Sequence, residues 1–268
     1  MQKKADVGVF GGSGFYSFLR DVEEVQIETP FGSPSDSFKL AKLGDKTVAF
    51  LPRHGAQHTI PPHKINYRAN VWAMHSLGVR HIIAPAAVGS LQADICPGEF
   101  VICDQFVNRT WGRADTFYEG PEVRHISAAD PYCPRLRSLI TDVAQDLGIK
   151  AQPSGTMVVI NGPRFSTRAE SREYSGHGWH VIGMTGYPEA MLARELEICY
   201  ANISLVTDFD AGLEGRADIE AVTHQAVLEV FAQNIDNVKR LLFAVIERLP
   251  LPAERDCVCA SALGGTGE

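Results

Sequence analysis

The chain has 268 residues, of which 45% are hydrophobic and 21% are charged, and its formal net charge at pH 7 is −7. This length is enough for one substantial hydrophobic core, and an acidic balance without clustered Lys and Arg argues against nucleic-acid binding. Because no apolar run approaches membrane-spanning length and no signal-peptide core is evident, we expect a cytoplasmic protein that does not bind membranes.

The order of apolar runs predicts an α/β protein. Short apolar runs bounded by Gly, Pro or Asp predict strands, and a 3.6-residue apolar period predicts helices. Strands are predicted at residues 7–10, 25–27, 38–43, 47–51, 81–88, 100–107, 155–160, 181–186 and 201–206. Helices are predicted at residues 63–77, 134–147, 187–197 and 219–249, and from residue 168 onward. We therefore expect a single domain over residues 1–249, with a mixed, twisted central β-sheet flanked by helices, and a C-terminal tail at residues 250–268.

A glycine-rich loop follows the first strand, with the sequence Gly-Gly-Ser-Gly at residues 11–14. Such a loop allows backbone N–H groups to surround an anion. The dinucleotide-binding fingerprint would need a third glycine where Ser17 stands, which disfavours an NAD-dependent oxidoreductase. Two interpretations remain at this point: a phosphate-binding loop with Ser13 at its tip, or a simple tight turn.

Other strands end in residues suited to ligand binding, and ligands in open α/β sheets collect at such ends. Arg53 and His54 offer a forked cation and a second donor to an oxyanion, although an isolated pair of this kind is more often structural. Phe165 is placed to stack on a flat heterocycle or to join the core. Asp208 and Asp210 follow the last strand. There they either take part in catalysis or only cap a turn. With Thr185, these residues together fit a nucleoside and phosphate better than a dinucleotide.

Metal binding is not expected from the spacing of the histidines and cysteines. His54 and His58 are separated by Gly55, and prolines precede His63, so the helix of a His-x-x-x-His site cannot form. None of the six cysteines forms a Cys-x-x-Cys pair. Reduced thiols are usual inside cells, while disulfides of the kind found in hyperthermophiles remain open.

Six motifs in order resemble one enzyme family. They are Gly-Gly-Ser-Gly at 11–14, Pro-Arg-His-Gly at 52–55, Tyr-Arg-Ala-Asn-Val-Trp-Ala at 67–73, Asn-Gly-Pro-Arg-Phe-Ser-Thr-Arg-Ala-Glu at 161–170, Met-Thr-Gly-Tyr-Pro-Glu at 184–189 and Thr-Asp-Phe-Asp at 207–210. The chain from about residue 7 to 248 resembles the trimer-forming purine nucleoside phosphorylases, specifically the 5′-methylthioadenosine phosphorylase branch. The resemblance implies the fold of that family, inorganic phosphate as co-substrate and no cofactor.

The resemblance also implies a role for individual residues. The phosphate ligands would be Ser13, Arg53, His54, Ala86, Ala87 and Thr185. Ala86 stands where the family usually has Thr, and loss of that hydroxyl would weaken phosphate binding by about 1.5–3 kcal/mol unless water or Ser90 replaces it. Met184 would lie beneath the ribose, Phe165 and Ser166 would flank the base, and His125 would reach the 5′ pocket of a neighbouring subunit.

Asp208 is the expected catalytic residue. The departing purine needs a proton at N7, and burial together with nearby Asp210 would raise the pKa of Asp208 enough for it to act as a general acid. A carboxylate also accepts from the amine of adenine, whereas 6-oxopurine relatives use Asn there. We therefore expect methylthioadenosine as substrate, with tolerance for other purine nucleosides and with methylthioinosine or general purine nucleoside phosphorolysis as the alternative.

Further departures from the family concern the specificity pocket and the tail. Gly183 replaces the usual Asn, and His224 replaces an aliphatic residue of the methylthio pocket, whose wall Val227 and Leu228 keep apolar. The motif Cys-Val-Cys at residues 257–259 resembles tails of some archaeal members that form hexamers from two trimers. In that comparison Cys133 and Cys199 would form a disulfide. A redox role for Cys257 and Cys259 is the weaker interpretation, since a frayed tail explains two exposed cysteines equally well.

Overall fold

A computed structural model describes residues 4–11, 21–211, 222–250 and 255–264 of the chain. Ser13 and the rest of the glycine loop after Gly11 lie outside the described residues, as does the predicted start of the last helix before residue 222. Within the described ranges no helix is long and apolar enough to cross a membrane.

In the described part of the chain, one mixed sheet of eleven strands is flanked by helices, as the alternation in the sequence predicts. The strands are β1 (Val7–Gly11), β2 (Glu23–Val25), β3 (Phe38–Leu43), β4 (Lys46–Pro52), β5 (His81–Ser90), β6 (Phe100–Val101), β7 (Gln105–Arg109), β8 (Ala151–Gln152), β9 (Thr156–Ile160), β10 (Val181–Gly183) and β11 (Cys199–Asp208). The helices are α1 (Tyr67–Ser76), α2 (Pro134–Asp146), α3 (Arg168–Gly176), α4 (Gly186–Glu195) and α5 (His224–Arg248), with short 3₁₀ turns at Pro62–Lys64 and Val258–Ser261.

Several local predictions differ from the structure. The strand predicted at residues 25–27 lies at Glu23–Val25, and the strand predicted at residues 181–186 ends at Gly183. The strand predicted at residues 100–107 is two strands, because the Asp104 carboxylate accepts from the Gly155 N–H at 2.9 Å and turns the chain between them. The helix predicted from residue 63 begins at Tyr67, where the Asn66 side chain caps it by accepting from the Ala69 N–H at 3.1 Å. The two-residue strand β8 was not predicted, since a pair of residues carries no detectable period.

The two faces of the sheet carry separate hydrophobic cores. On one face α1 and α4 cover β-strand residues such as Phe10 and Ile82, and on the other α2 and α5 cover residues such as Val9 and Ile83. Successive residues of a strand point to opposite faces, so neighbouring residues of β1 and of β5 contribute to different cores. The central strands are therefore buried on both sides, which explains their continuous apolar sequences.

The centre of the sheet contains a gap that positions the site. Strand β5 pairs along one edge with β11, from His81 to Gly89. Its other edge pairs with β1 only as far as Ile83 and with β10 only at Gly89 and Ser90. Among the described residues no strand pairs with this edge of residues 84–88. The carbonyls of Ala84, Pro85 and Val88 accept from the side chains of Asn202, Arg53 and Thr207, so the peptide groups near residues 86 and 87 are the candidates to bind a ligand.

Candidate active site

Strands approach the gap in β5 from both directions. β1 and β4 run parallel to β5 and end level with its middle, at Gly11 and Pro52. β10 runs antiparallel to β5 and ends at Gly183, after starting opposite Ser90. The segments that follow β4 and β10 therefore converge on the gap, which carries the partly exposed Ala86 and the exposed Ala87. Two alanines open to solvent in the centre of a sheet indicate a ligand site rather than core.

Arg53 lies at this gap and is buried, with 4% of its surface exposed. Its guanidinium donates to the Pro85 carbonyl at 3.0 Å and to both carboxylate oxygens of Glu189, at 2.9 and 3.1 Å. Burial lowers the pKa of Arg53, but the Glu189 carboxylate outweighs burial and the pKa is raised overall. A guanidinium has five N–H donors, and these three bonds leave two for an anion.

His54 lies beside Arg53 with its tautomer set by the backbone. Its Nδ1 is 2.9 Å from the Ile60 carbonyl oxygen, a contact that requires Nδ1 to carry the proton. Burial, helped by nearby Arg53, lowers the pKa of His54 to about 4, so the ring is neutral at pH 7. The remaining Nε2 is then an acceptor, which suits the O–H of a monoprotonated phosphate.

Thr185 approaches from the opposite side, at the N-terminus of α4. It is 7% exposed, and its side chain makes no capping bond to the helix. Ser90 is not placed to substitute for the hydroxyl that Ala86 lacks, because the Ser90 Oγ donates to the Gln92 carbonyl at 2.8 Å in a turn.

Asp208 ends β11, where a register irregularity after Val206 brings it opposite Gly89. The pKa of Asp208 is raised to about 7, chiefly by burial and further by the charge of Asp210. The Thr207 hydroxyl acts in the opposite direction, because it donates to the carboxylate at 2.8 Å. A Cβ on Gly89 would lie 2.9 Å from the Asp208 Oδ1, so the missing side chain is what allows the carboxyl group to lie over β5. The group is close to half-protonated at neutral pH.

Asp210 is buried and lies beside the loop that carries Phe165. Burial raises the pKa of Asp210, and the hydroxyls of Ser171 and Ser166 counteract this. Among the described residues, however, the Asp210 Oδ2 and the Ser166 Oγ have no partner within hydrogen-bond geometry. Buried polar atoms without protein partners are costly, so these two oxygens are candidates to bind a polar ligand.

Phe165 is 37% exposed and therefore does not belong to the core. The loop that presents it is held by a capping box between Thr167 and Glu170 at the start of α3. Met184 lies close by, because a Cβ on Gly162 of the same loop would lie 2.6 Å from the Met184 sulfur. The Met184 thioether therefore lies against the loop that presents the Phe165 ring.

The predicted specificity residues surround the far end of the site. Gly183 is tightly packed, since a Cβ there would lie 3.1 Å from the Met157 sulfur. The His58 ring stacks on His54 with centroids 4.4 Å apart, and its centroid is 6.4 Å from that of His224 at the start of α5. The His58 ring therefore lies close to both His54 and His224.

The first turns of α5 are less buried than the sequence pattern predicts. Its buried side chains begin at Val238, whereas Val227 is only partly buried and Leu228 is 48% exposed. An apolar helix surface left uncovered next to the site is consistent with a substrate wall. His125 is exposed in the long irregular loop between β7 and α2 and is not brought to this site by its own chain's contacts.

Two residues that support the site were not identified as such from the sequence. Glu189 is fully buried and accepts from Arg53 and from the Tyr200 hydroxyl, the latter at 2.7 Å. Its presence within the motif at residues 184–189 was the only available signal. The second residue is Gly89, whose contact with Asp208 depends on the pairing of β5 with β11.

Comparison with known proteins agrees with this geometry. The family described as "Phosphorylase superfamily" matches residues 6–247. The chain is 51% identical to the purine nucleoside phosphorylase of Streptomyces coelicolor, over 98% of this chain and 95% of that one. It is 48% identical to the S-methyl-5′-thioadenosine phosphorylase of Nitrosopumilus maritimus, over 98% of each.

Among solved structures, the chain is similar to methylthioadenosine phosphorylase from Schistosoma mansoni in complex with adenine. The TM-score is 0.86 at 40% identity, and 91% of each chain is covered. The fold and the family predicted from the motifs are confirmed, and the dinucleotide-dependent oxidoreductase is excluded. This chain belongs to the phosphorylase superfamily.

Proposed function

We propose that the protein cleaves the glycosidic bond of 5′-methylthioadenosine with phosphate, giving adenine and 5-methylthioribose 1-phosphate. The observation that carries this proposal is the partly buried Asp208 carboxyl, which lies against Gly89 of β5. Burial raises its pKa to about 7, which suits proton transfer to a purine at neutral pH. Phosphate is a co-substrate, and no cofactor is needed.

The phosphate would occupy the gap beside β5. The two free N–H donors of Arg53, the Thr185 hydroxyl and the unpaired edge of β5 near Ala86 and Ala87 supply donors, with Ser13 as a further ligand. His54 would accept a hydrogen bond from the phosphate O–H through Nε2. Donors fixed before the substrate arrives orient the nucleophilic oxygen without reorganisation at the moment of reaction.

In the reaction a phosphate oxygen forms a bond to the anomeric carbon while the bond from that carbon to purine N9 breaks. The bonding electrons leave with the purine, and negative charge grows on its ring system. Protonated Asp208 would donate to N7, which neutralises that charge and makes the base a better leaving group. The resulting Asp208 carboxylate regains a proton from water after the products leave.

The base and the methylthio group would lie between Phe165, Met184 and the open face of α5. Val227 and Leu228 provide an apolar surface of the kind that a thioether prefers over water. Asp208 and the unpartnered Asp210 oxygen accept hydrogen bonds, which matches the 6-amino group of adenine. The relatives named above as S-methyl-5′-thioadenosine phosphorylases support the same substrate.

A broader activity on purine nucleosides is the second candidate. His224 adds a polar group near the 5′ end of the substrate, where it would hydrogen-bond the 5′-hydroxyl of adenosine or inosine. The 51% identical relative from Streptomyces coelicolor is named a purine nucleoside phosphorylase, which agrees with this candidate.

Self-association would complete the site. We propose a trimer or a dimer of trimers in which His125 contributes to the 5′ pocket of a neighbouring subunit. Its loop exposes Trp111 (69%) and Val123 (63%), and large exposed apolar side chains are typical of surfaces that contact another chain.

A substrate panel tests the function. Methylthioadenosine, adenosine, methylthioinosine and inosine are each incubated with the protein, with and without phosphate, and base release is measured. We expect phosphate-dependent release of adenine from methylthioadenosine to be fastest, and Asp208→Asn to reduce kcat by about 10²–10⁴-fold. Faster release of hypoxanthine from methylthioinosine would show that Asp208 does not select adenine, and phosphate-independent release would contradict phosphorolysis.

A further inference from the structure

Four cysteine sulfurs come together on the face of the sheet opposite α1 and α4. Cys133 precedes α2, Cys199 begins β11, and Cys257 and Cys259 belong to the tail. All four sulfurs lie within 4.8 Å of one another, and those of Cys199 and Cys257 are 3.2 Å apart. Cys257 is partly buried and the other three are buried.

We propose that these four thiols bind one Zn²⁺ ion in a structural site. Zinc in such sites is tetrahedral with Zn–S distances of about 2.3 Å, which places the sulfurs about 3.8 Å apart. The observed separations bracket this value, from 3.2 Å between Cys199 and Cys257 to at most 4.8 Å for any pair. Four protein ligands leave no open position for catalysis. Binding would release the four thiol protons and give a Zn(Cys)₄ group with a net charge of −2.

The charges around the cluster favour zinc-bound thiolates over neutral thiols or disulfides. Arg194 is 5% exposed and points its Nη1 at the Cys259 sulfur, 3.6 Å away. Within the described part of the chain no carboxylate forms an ion pair with Arg194, although its Nη2 donates to the Asp130 carbonyl. A buried guanidinium needs a negative partner, and thiolates bound to zinc supply one, whereas thiols or disulfides do not.

A second arginine lies on another side of the cluster. The Arg255 Nη1 is 4.0 Å from the Cys199 sulfur and also donates to the Glu197 carbonyl at 2.5 Å. Two cations next to the cluster balance the charge of −2 that zinc coordination would create. Hydrogen bonds from such neighbours to ligand sulfurs are the usual support of a zinc site.

Zinc would join three segments that are far apart in sequence. The tail would be fixed to the start of α2 and to the start of β11, against the core under α5. The sequence provided no reason to expect this site, because the ligands are not arranged as Cys-x-x-Cys pairs and only the fold brings them together.

Metal and thiol analysis of the full chain tests the proposal. The protein is purified without chelators, and zinc is measured by inductively coupled plasma mass spectrometry. We expect one Zn²⁺ per chain, with Cys257→Ser and Cys259→Ser each lowering zinc content at least severalfold. The matched controls are Cys96→Ser, which is exposed, and Cys103→Ser, which is buried outside the cluster; both should retain zinc.

Alkylation of the wild-type protein separates the alternatives without any variant. After zinc is removed in denaturant, all six cysteines should react without a reductant. Protein that lacks zinc and in which the four cysteines react only after reduction would show disulfides and overturn the proposal. Protein that lacks zinc and has six reactive thiols, and that takes up neither added Zn²⁺ nor Co²⁺, would overturn it as well. None of these readings depends on catalytic activity.

Discussion

At the scale of single residues, the raised pKa of the Asp208 carboxyl group affects both the stability of the fold and the ability of this group to act as an acid. Burial raises its pKa from an ordinary value of 3.8 to about 7. Between pH 3.8 and about pH 7, Asp208 is protonated in the folded protein and ionised in the unfolded chain. The free energy of unfolding therefore falls as the pH rises through this window. Above pH 7, this shift in the pKa of Asp208 lowers the free energy of unfolding by on the order of 4 kcal/mol. The same property makes the group an acid at neutral pH.

Replacement of Asp208 should therefore stabilise the protein in a pH-dependent way. We expect Asp208→Asn to raise the free energy of unfolding by a few kcal/mol at pH 9 and by much less at pH 4.5, because the wild-type carboxyl is largely protonated in the fold at low pH. Urea unfolding at the two pH values measures the difference. The control is Asp142→Asn, an exposed position on α2, and an equal effect of Asp208→Asn at both pH values would contradict the raised pKa.

Ala86 provides a gain-of-function prediction at the same scale. We expect Ala86→Thr to lower the KM for phosphate about tenfold or more, because a hydroxyl that bonds a charged group contributes about 1.5–3 kcal/mol. Steady-state kinetics at saturating nucleoside measures it. Ser90→Ala should leave this KM unchanged, since the Ser90 hydroxyl already bonds the Gln92 carbonyl. An unchanged KM in Ala86→Thr would place the phosphate away from residue 86.

At the scale of elements, the site depends on the crossing of β5, β10 and β11. Gly89 pairs with Ile182 on one side and with Asp208 on the other. A Cβ at this position would lie 2.9 Å from the Asp208 carboxylate and 3.0 Å from the Ile182 side chain. Three strands can meet here only because residue 89 has no side chain.

We expect Gly89→Ala to lower kcat at least tenfold and to destabilise the fold by about 1–3 kcal/mol, because overpacking displaces Asp208. Activity assays and thermal unfolding measure the two effects. The matched control is Gly176→Ala at the end of α3, where an added Cβ meets no described atom within 4 Å. If both variants behave alike, Gly89 is not needed for the position of Asp208.

The buried ion pair between Arg53 and Glu189 joins the end of β4 to α4. A buried carboxylate that loses its partner is strongly destabilising, by about 3–5 kcal/mol. Arg53 therefore has two functions, one in the fold and one proposed for phosphate, and a single substitution does not separate them.

A pair of variants separates the two functions. We expect Arg53→Leu to destabilise by about 3–5 kcal/mol, and Arg53→Leu combined with Glu189→Gln to recover much of that stability while the KM for phosphate stays high. Arg248→Leu is the control, since its pair with Asp146 is exposed and contributes about 1 kcal/mol or less. Recovery of phosphate binding in the double variant would show that Arg53 acts only through the fold.

At the scale of the whole molecule, one chain leaves the substrate end of the site open. The first turns of α5 have no buried side chain, and the loop that carries His125 lies exposed beyond β7. We expect a mass of three or six chains by light scattering.

His125→Ala and Asp208→Asn subunits that are separately impaired should regain activity when mixed and reassembled. A fully active monomer would exclude a contribution from a neighbouring subunit.

The fold class could be predicted from the sequence alone, and so could the family, while the site residues selected from it stay predictions. The periods of two and 3.6 residues depend only on local geometry, so β3 and α2 were predicted almost to the residue. The six motifs were sufficient for the family because each is a run of adjacent residues. Arg53, Phe165 and Asp208 could be selected because each follows a predicted strand.

Only the tertiary structure decided which of these groups meet. The gap in β5 arises because β1 and β10 pair with different parts of one edge, and pairing between distant strands leaves no local signal. The partnership of Arg53 with Glu189, the pKa of Asp208 and the gathering of four cysteines all depend on burial and on contacts across many residues. Such quantities arise from the packed whole, because desolvation and Coulomb energy depend on distances in space and not on separation along the chain.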